Sequence, residues 1–128
     1  MQDDPGDYVD FGAGLVVDRP PPEATEQAVQ REELDAGPRY RVMRLTLAPG
    51  AALASHVHRY RREVWTVLSG QAVVAVGCKT YSGFEGDTIE IPYTTPHSLT
   101  AAGDTPLVVL ETQYGPIVTD EDEAPVTS

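Results

Sequence analysis

Residues 50–70 read GAALASHVHRYRREVWTVLSG, a stretch bounded by Pro49-Gly50 and Ser69-Gly70 that holds two of the three histidines in the 128-residue chain. Such glycine pairs punctuate strands, so two short strands and the bend between them are expected here. His56 and His58 stand two apart. In a strand that spacing points both imidazoles to one side, whereas a helix would turn them about 200° apart. Glu63 follows five residues later at the head of the next run, and a turn through Arg59 to Arg62 can return its carboxylate to the imidazoles. His97, after Pro96 at the mouth of another strand, would close the set from across the barrel. Three neutral imidazoles and one carboxylate form a borderline-soft N/O set suited to iron, manganese, cobalt, nickel, copper or zinc. The spacing thus nominates His56, His58, Glu63 and His97 as ligands of one divalent transition metal with positions left open for substrate.

The same texture continues outward from this stretch. Short runs with period-two alternation span Tyr40 to Leu47, Ser55 to His58, Glu63 to Leu68, Gln71 to Val76, Thr80 to Phe84, Thr88 to Ile91, Ser98 to Thr100 and Leu107 to Tyr114. In the first of these, Met43, Leu45 and Leu47 share one face while Val42, Arg44 and Thr46 take the other. Seven or eight short strands with tight turns predict an all-β sandwich or double-sheet barrel. Upstream, Phe11 to Val17 reads as a peripheral strand and Arg19-Pro20-Pro21-Pro22 as a stiff polyproline segment. Glu23 to Leu34, rich in helix formers, predicts a turn or two of helix, closed by Gly37-Pro38. The expected organisation is an acidic, proline-rich extension over 1–35, a barrel over 36–118 and an acidic tail over 119–128. No glycine-rich phosphate loop or βαβ unit occurs, which sets nucleotide-binding folds aside.

At 41% hydrophobic residues, a chain of this length can bury one core unaided. The net charge of −11 is unevenly placed: residues 1–35 hold ten acids and two bases, residues 36–114 six acids and seven bases, and residues 115–128 four acids. Both acidic ends would repel a phosphate backbone, so nucleic acid is excluded as a partner and a small molecule is expected. No run of eighteen apolar residues offers a membrane span, and the N-terminus lacks a secretory pattern. Cys78 stands alone, so neither an internal disulfide nor a thiolate cluster can form. These features predict a cytoplasmic protein without membrane partners. Long apolar strands in a small barrel leave edges to be covered, which predicts a homodimer.

The motif spacing resembles that of the cupin superfamily. Gly50, five residues, His56, one residue, His58, four residues, Glu63, six residues, Gly70 fits the first cupin motif at every fixed position. Gly86, five residues, Pro92, one residue, Thr94, two residues, His97 resembles the second, with Thr94 where a glycine is usual and Ala101 where an asparagine is usual. The resemblance implies a double-stranded β-helix barrel holding a divalent metal. More narrowly, Tyr40-Arg41-Val42-Met43-Arg44-Leu45, Ala48-Pro49-Gly50, Glu63 to Gly70, Ile91-Pro92, His97-Ser98-Leu99, Glu111 to Gly115 and Asp120-Glu121-Asp122 are similar to the cupin domain of type II mannose-6-phosphate isomerases. That family usually has a histidine where this chain has Val64 and a basic residue near Pro125. The resemblance implies interconversion of a phosphorylated aldose and ketose.

Several chemistries suit the donor set. A metal with open positions can act as a Lewis acid in isomerisation. The same set holding Fe(II) suits a dioxygenase of a small organic acid or aromatic, and a third possibility is a ligand-sensing domain without turnover. Glu111, Tyr60, Tyr93 and Tyr114 are candidates for proton transfer, and strand parity alone does not choose among them. Arg59, Arg61 and Arg62 adjoin the ligand hairpin, where one could bind an anionic substrate group. Glu111, Tyr93 and Arg59 are the nominated catalytic residues. Plainer roles stand beside these: surface ion pairs for the arginines, core filling for Trp65, an inert thiol for Cys78 and solvated tails for the acidic ends.

Overall fold

The computed structural model describes residues 28–125 and contains ten strands and a single 3-10 turn. In chain order the strands are β1 (Val29–Gly37), β2 (Tyr40–Leu47), β3 (Ala52–His58), β4 (Arg62–Ser69), β5 (Gln71–Val76), β6 (Lys79–Gly83), β7 (Thr88–Ile91), β8 (His97–Ala102), β9 (Leu107–Tyr114) and β10 (Glu123–Pro125), with the 3-10 turn at Asp120–Asp122 before β10. They form two five-stranded antiparallel sheets, ordered β1-β2-β9-β4-β7 and β10-β3-β8-β5-β6. The all-β expectation holds, and β2, β5, β7 and β9 have the bounds read from alternation. No helix among the described residues is long and apolar enough to cross a membrane.

One expectation is corrected. Residues 29–34, read as part of a helix, belong to β1, which pairs with β2 from Val29↔Leu47 to Gly37↔Tyr40. Helix-forming side chains decide little where an adjacent strand offers a full ladder of backbone partners and Val29 joins the core. Gly37-Pro38 bends the chain into this hairpin rather than ending a helix. The strand expected over Phe11 to Val17 and the polyproline segment lie outside the described residues.

Register divides the interior into two layers. On β9, alternation buries Leu107, Val109, Glu111 and Gln113 in turn; on β4 it buries Glu63, Trp65 and Val67; on β8 it buries His97, Leu99 and Ala101. Cross-strand pairs keep like with like: Leu47 faces Leu107 and Leu45 faces Val109, while Glu63 faces Gln113 and Trp65 faces Glu111. One end of the interior is therefore apolar, closed by Leu53, Ala72 and Val74 from the second sheet, and the other is lined by polar groups. Each fully buried Leu or Val contributes about 1.5–3 kcal/mol, so the apolar end can anchor the sheets while the polar end is given to chemistry.

Two local features fix the strands that carry the site. A register shift between Leu53 and His56 on β3 changes the parity, so Leu53 and both histidines turn to the inside of one strand. Gly70, between β4 and β5, has φ +87°, and a Cβ there would collide with the Pro106 carbonyl and lie 2.9 Å from Leu107 Cα. Only glycine fits so close to the start of β9.

Candidate metal centre

The polar end brings the three histidines together from two strands of one sheet. His56 and His58 come from β3, and His97, the first residue of β8, pairs directly with His56 on the neighbouring strand instead of meeting it from across the barrel as expected. Ring centroids are 4.2 Å apart for His56 and His97, 4.9 Å for His56 and His58, and 5.1 Å for His58 and His97. One nitrogen from each ring lies within 4.8 Å of the others. His56 Nδ1 lies 2.8 Å from the Ala54 carbonyl and His97 Nδ1 2.8 Å from the Thr95 carbonyl. A carbonyl can only accept, so each ring carries its proton on Nδ1 and presents a bare Nε2.

Glu63 faces this cluster from the opposite sheet. Its Oε2 accepts from Arg61 Nε at 2.9 Å and lies 3.1 Å from His58 Nε2, while Oε1 stands 3.6 Å from His97 Nε2. Three buried atoms here have no hydrogen-bond partner: His58 Nδ1, Glu63 Oε1 and His97 Nε2. Buried polar atoms are nearly always satisfied, and three orphans in one cluster fit a cation that belongs among them. Burial holds His97 down to about 3, with His56 adding to the effect. It also lowers His58, helped by the Arg61 guanidinium. The imidazoles of His58 and His97 are therefore neutral at physiological pH, the state a metal requires.

Beside the cluster lies a cavity of about 540 Å³, lined among others by His56, Arg61, Glu111, Gln113, Arg41 and Arg31. Glu111 sits in its wall, where Trp65 Nε1 donates to Oε2 at 2.7 Å and Gln113 Nε2 to Oε1 at 2.6 Å. Burial, then the negative charge of Glu63, raise its carboxyl to about 7 against the pull of those two bonds. Gln113 is fixed in turn by Arg41 Nε, which donates to its Oε1 at 2.8 Å.

The sequence profile of the mannose-6-phosphate isomerase C-terminal family matches residues 27–126. The chain belongs to this family. Like other cupins it is a double-stranded β-helix: at a TM-score of 0.70 and 20% identity it resembles an uncharacterized conserved protein with such a domain from Klebsiella pneumoniae, over 94% of this chain and 87% of that one. It is 38% identical over 89 residues to the mannose-1-phosphate guanylyltransferase RfbM of Salmonella typhimurium, covering 70% of this chain and 19% of the relative. It is 35% identical over 91 residues to the alginate biosynthesis protein AlgA of Pseudomonas aeruginosa, again 71% of this chain and 19% of that one. The chain thus spans about a fifth of the length of these curated relatives.

Within this family member the nominated residues part company. His56, His58, His97 and Glu63 converge, and Glu111 lines the adjoining cavity together with His56. Tyr93 is 42% exposed on the loop before His97, and Arg59 is an exposed turn residue that offers only its backbone N–H to Asp122; neither lines the cavity. Arg61 takes the inward place instead, 3% exposed, bonded to Glu63, His58 and the Thr119 carbonyl. Period two counted back from Glu63 puts Arg61 and Arg59 on one side and Arg62 on the other, so parity sets Arg62 aside, and only the burial of Arg61 in the folded chain separates it from Arg59. Trp65 fills core, as its plainer reading expected, with its ring edge-on to His97 at 5.5 Å.

The acidic tail is also more than solvated charge. Asp122, 9% exposed, accepts the Arg59 N–H at 3.0 Å and the Tyr60 N–H at 2.8 Å, clamping the turn between His58 and Glu63. β10 then pairs with β3 at the histidines themselves, Glu123↔His58 and Pro125↔His56. Thr94 has φ +52° at the position where the second motif usually has glycine, and its N–H donates to the His58 carbonyl at 2.7 Å. The left-handed backbone is kept although a β-branched residue occupies it.

Proposed function

We propose that the chain is a metal-dependent isomerase acting on a phosphorylated sugar. The observation that carries this reading is the cluster of unpartnered, buried ligand atoms on His58, His97 and Glu63 beside a cavity whose wall holds the Glu111 carboxyl. Family membership supports it, as does the relatives' naming for mannose-phosphate chemistry. His56, His58, His97 and Glu63 would hold one divalent transition ion, which when bound supplies a Lewis acid for the carbonyl and neighbouring hydroxyl oxygens of the sugar. Aldose–ketose interconversion takes a proton from the carbon beside the carbonyl and returns one to the former carbonyl carbon, with a second proton passing between the two oxygens and no net oxidation. Glu111 is the group placed to move the carbon-bound proton, and Trp65 and Gln113 hold its two oxygens in a fixed orientation. Arg61, bonded to both Glu63 and His58, keeps two ligands aligned.

The test is exchange of a carbon-bound hydrogen of hexose 6-phosphates with deuterium from solvent, without oxygen, using protein purified without chelator. Metal-dependent exchange is expected, and Glu111→Gln is expected to slow it by about 10²–10⁴-fold at unchanged metal content. Oxygen uptake coupled to substrate loss would replace the isomerase with the dioxygenase. Binding without exchange or turnover would leave a sensing domain.

A further inference from the structure

The cavity mouth carries charge that the metal centre does not use. Arg41 on β2 and Arg31 on β1 both line the cavity that Glu111 and His56 line. Arg41 spends Nε on Gln113 and Nη2 on Asp120 Oδ1 at 2.8 Å, and its Nη1 makes no hydrogen bond among the described residues. The Arg31 guanidinium forms no hydrogen bond or ion pair among them. Asp120 reaches into this mouth from the C-terminal segment, with its side chain 84% exposed. The Arg41 bond holds the Asp120 carboxyl below the usual range against the opposing effect of burial, with the charges of Arg41, Arg61 and Arg31 adding to the bond. Three guanidiniums thus act on the single point where this carboxylate sits.

We propose that Arg41 and Arg31 form an anion subsite for the phosphate of the substrate, and that Asp120 occupies it in the free chain as a built-in competitor which the phosphate displaces. An exposed ion pair contributes little to stability, so giving up the Asp120 contact costs little. A phosphate dianion brings twice the charge and three acceptor oxygens to guanidinium edges that have donors to spare. Gln113 ties Arg41 to Glu111, so the subsite is linked by hydrogen bonds to the proton-moving group. This inference rests on the sugar-phosphate reading for the identity of the ligand, and its test is made on binding alone so that the two fail separately.

The experiment is calorimetric titration of the full chain with inorganic phosphate, a hexose 6-phosphate and the unphosphorylated hexose at fixed ionic strength. Asp120→Asn is expected to bind phosphate and the hexose phosphate about fivefold more tightly than the parent chain, the fold-change an exposed ion pair can withhold. Arg41→Gln and Arg31→Gln are each expected to weaken both by several-fold and leave the plain hexose unchanged. Glu121→Gln removes the same charge one residue away and is expected to change phosphate affinity by less than about 1.5-fold, because screening separates a direct contact from overall charge. Phosphate binding that is no tighter in Asp120→Asn, or equally tightened in Glu121→Gln, overturns the proposal. Folding of each variant is checked by its thermal melt. Retained phosphate binding with no hydrogen exchange would fault the isomerase reading and leave the subsite standing.

Discussion

The β3–β4 corner, where the chain crosses from one sheet to the other, and the C-terminal arm from β9 to β10 build one site by opposite means. In the corner, His56, His58 and Glu63 lie within eight consecutive residues, and strand parity plus one turn brings them together. In the arm, Glu111, Asp120, Asp122 and Glu123 reach the same cavity or the same loop only because β9 runs between β2 and β4 and β10 adds to the edge of β3. The corner is chemistry written as spacing; the arm is chemistry created by packing. The difference teaches that a charge run at a chain end is no guide to its role until its neighbours are known.

The largest effect belongs to the β3–β4 corner. His56→Ala combined with His58→Ala is expected to reduce bound metal from about one equivalent to none, measured by elemental analysis, since too few ligands remain for a stable site. Metal retained by that variant would break the claim that the corner supplies the ligands. Acid strikes the same layer. Burial holds His97 near 3 against an ordinary 6.5, so the stability its neutral ring contributes is fully present above pH 6.5 and drains as pH falls toward 3. Denaturant melts of chelated protein should therefore lose stability through that window, and the loss should shrink in His97→Gln.

The arm is tested by Asp122→Ala, which strips the acceptor from two consecutive N–H groups between the ligands. Stability is expected to fall by about 1–3 kcal/mol, and metal affinity by about 10–100-fold, as for other supports of metal ligands. Unchanged affinity with lowered stability would reduce the arm to a wall. The smallest effect is a gain. Thr94→Gly relieves a left-handed β-branched residue and should raise stability by about 1 kcal/mol, read from the denaturation midpoint, with the His58 carbonyl bond kept.

Most strands were legible from alternation because each buries one face, and period two survives wherever a sheet has an inside and an outside. The exceptions have definite causes. β1 reads as helical because its residues are mostly exposed at a sheet edge, where intrinsic preference carries the signal and burial does not. β3 begins three residues before its predicted start because a register shift scrambles the alternation between Leu53 and His56. Parity sets Arg62 aside but does not choose Arg61 over Arg59, and nothing near Asp122 in the chain signals the turn it clamps, sixty-odd residues away.

By itself the sequence determined the all-strand architecture and the two histidines of one strand with their glutamate, since these follow from local periodicity and turns. Only the tertiary structure decided which arginine turns inward, that His97 pairs with His56, that Glu111 lies near Glu63, and that the acidic end lines the cavity beside Arg41. Those facts depend on which strands become neighbours, and pairing between distant segments is set by the packing of the whole barrel rather than by any stretch of the chain.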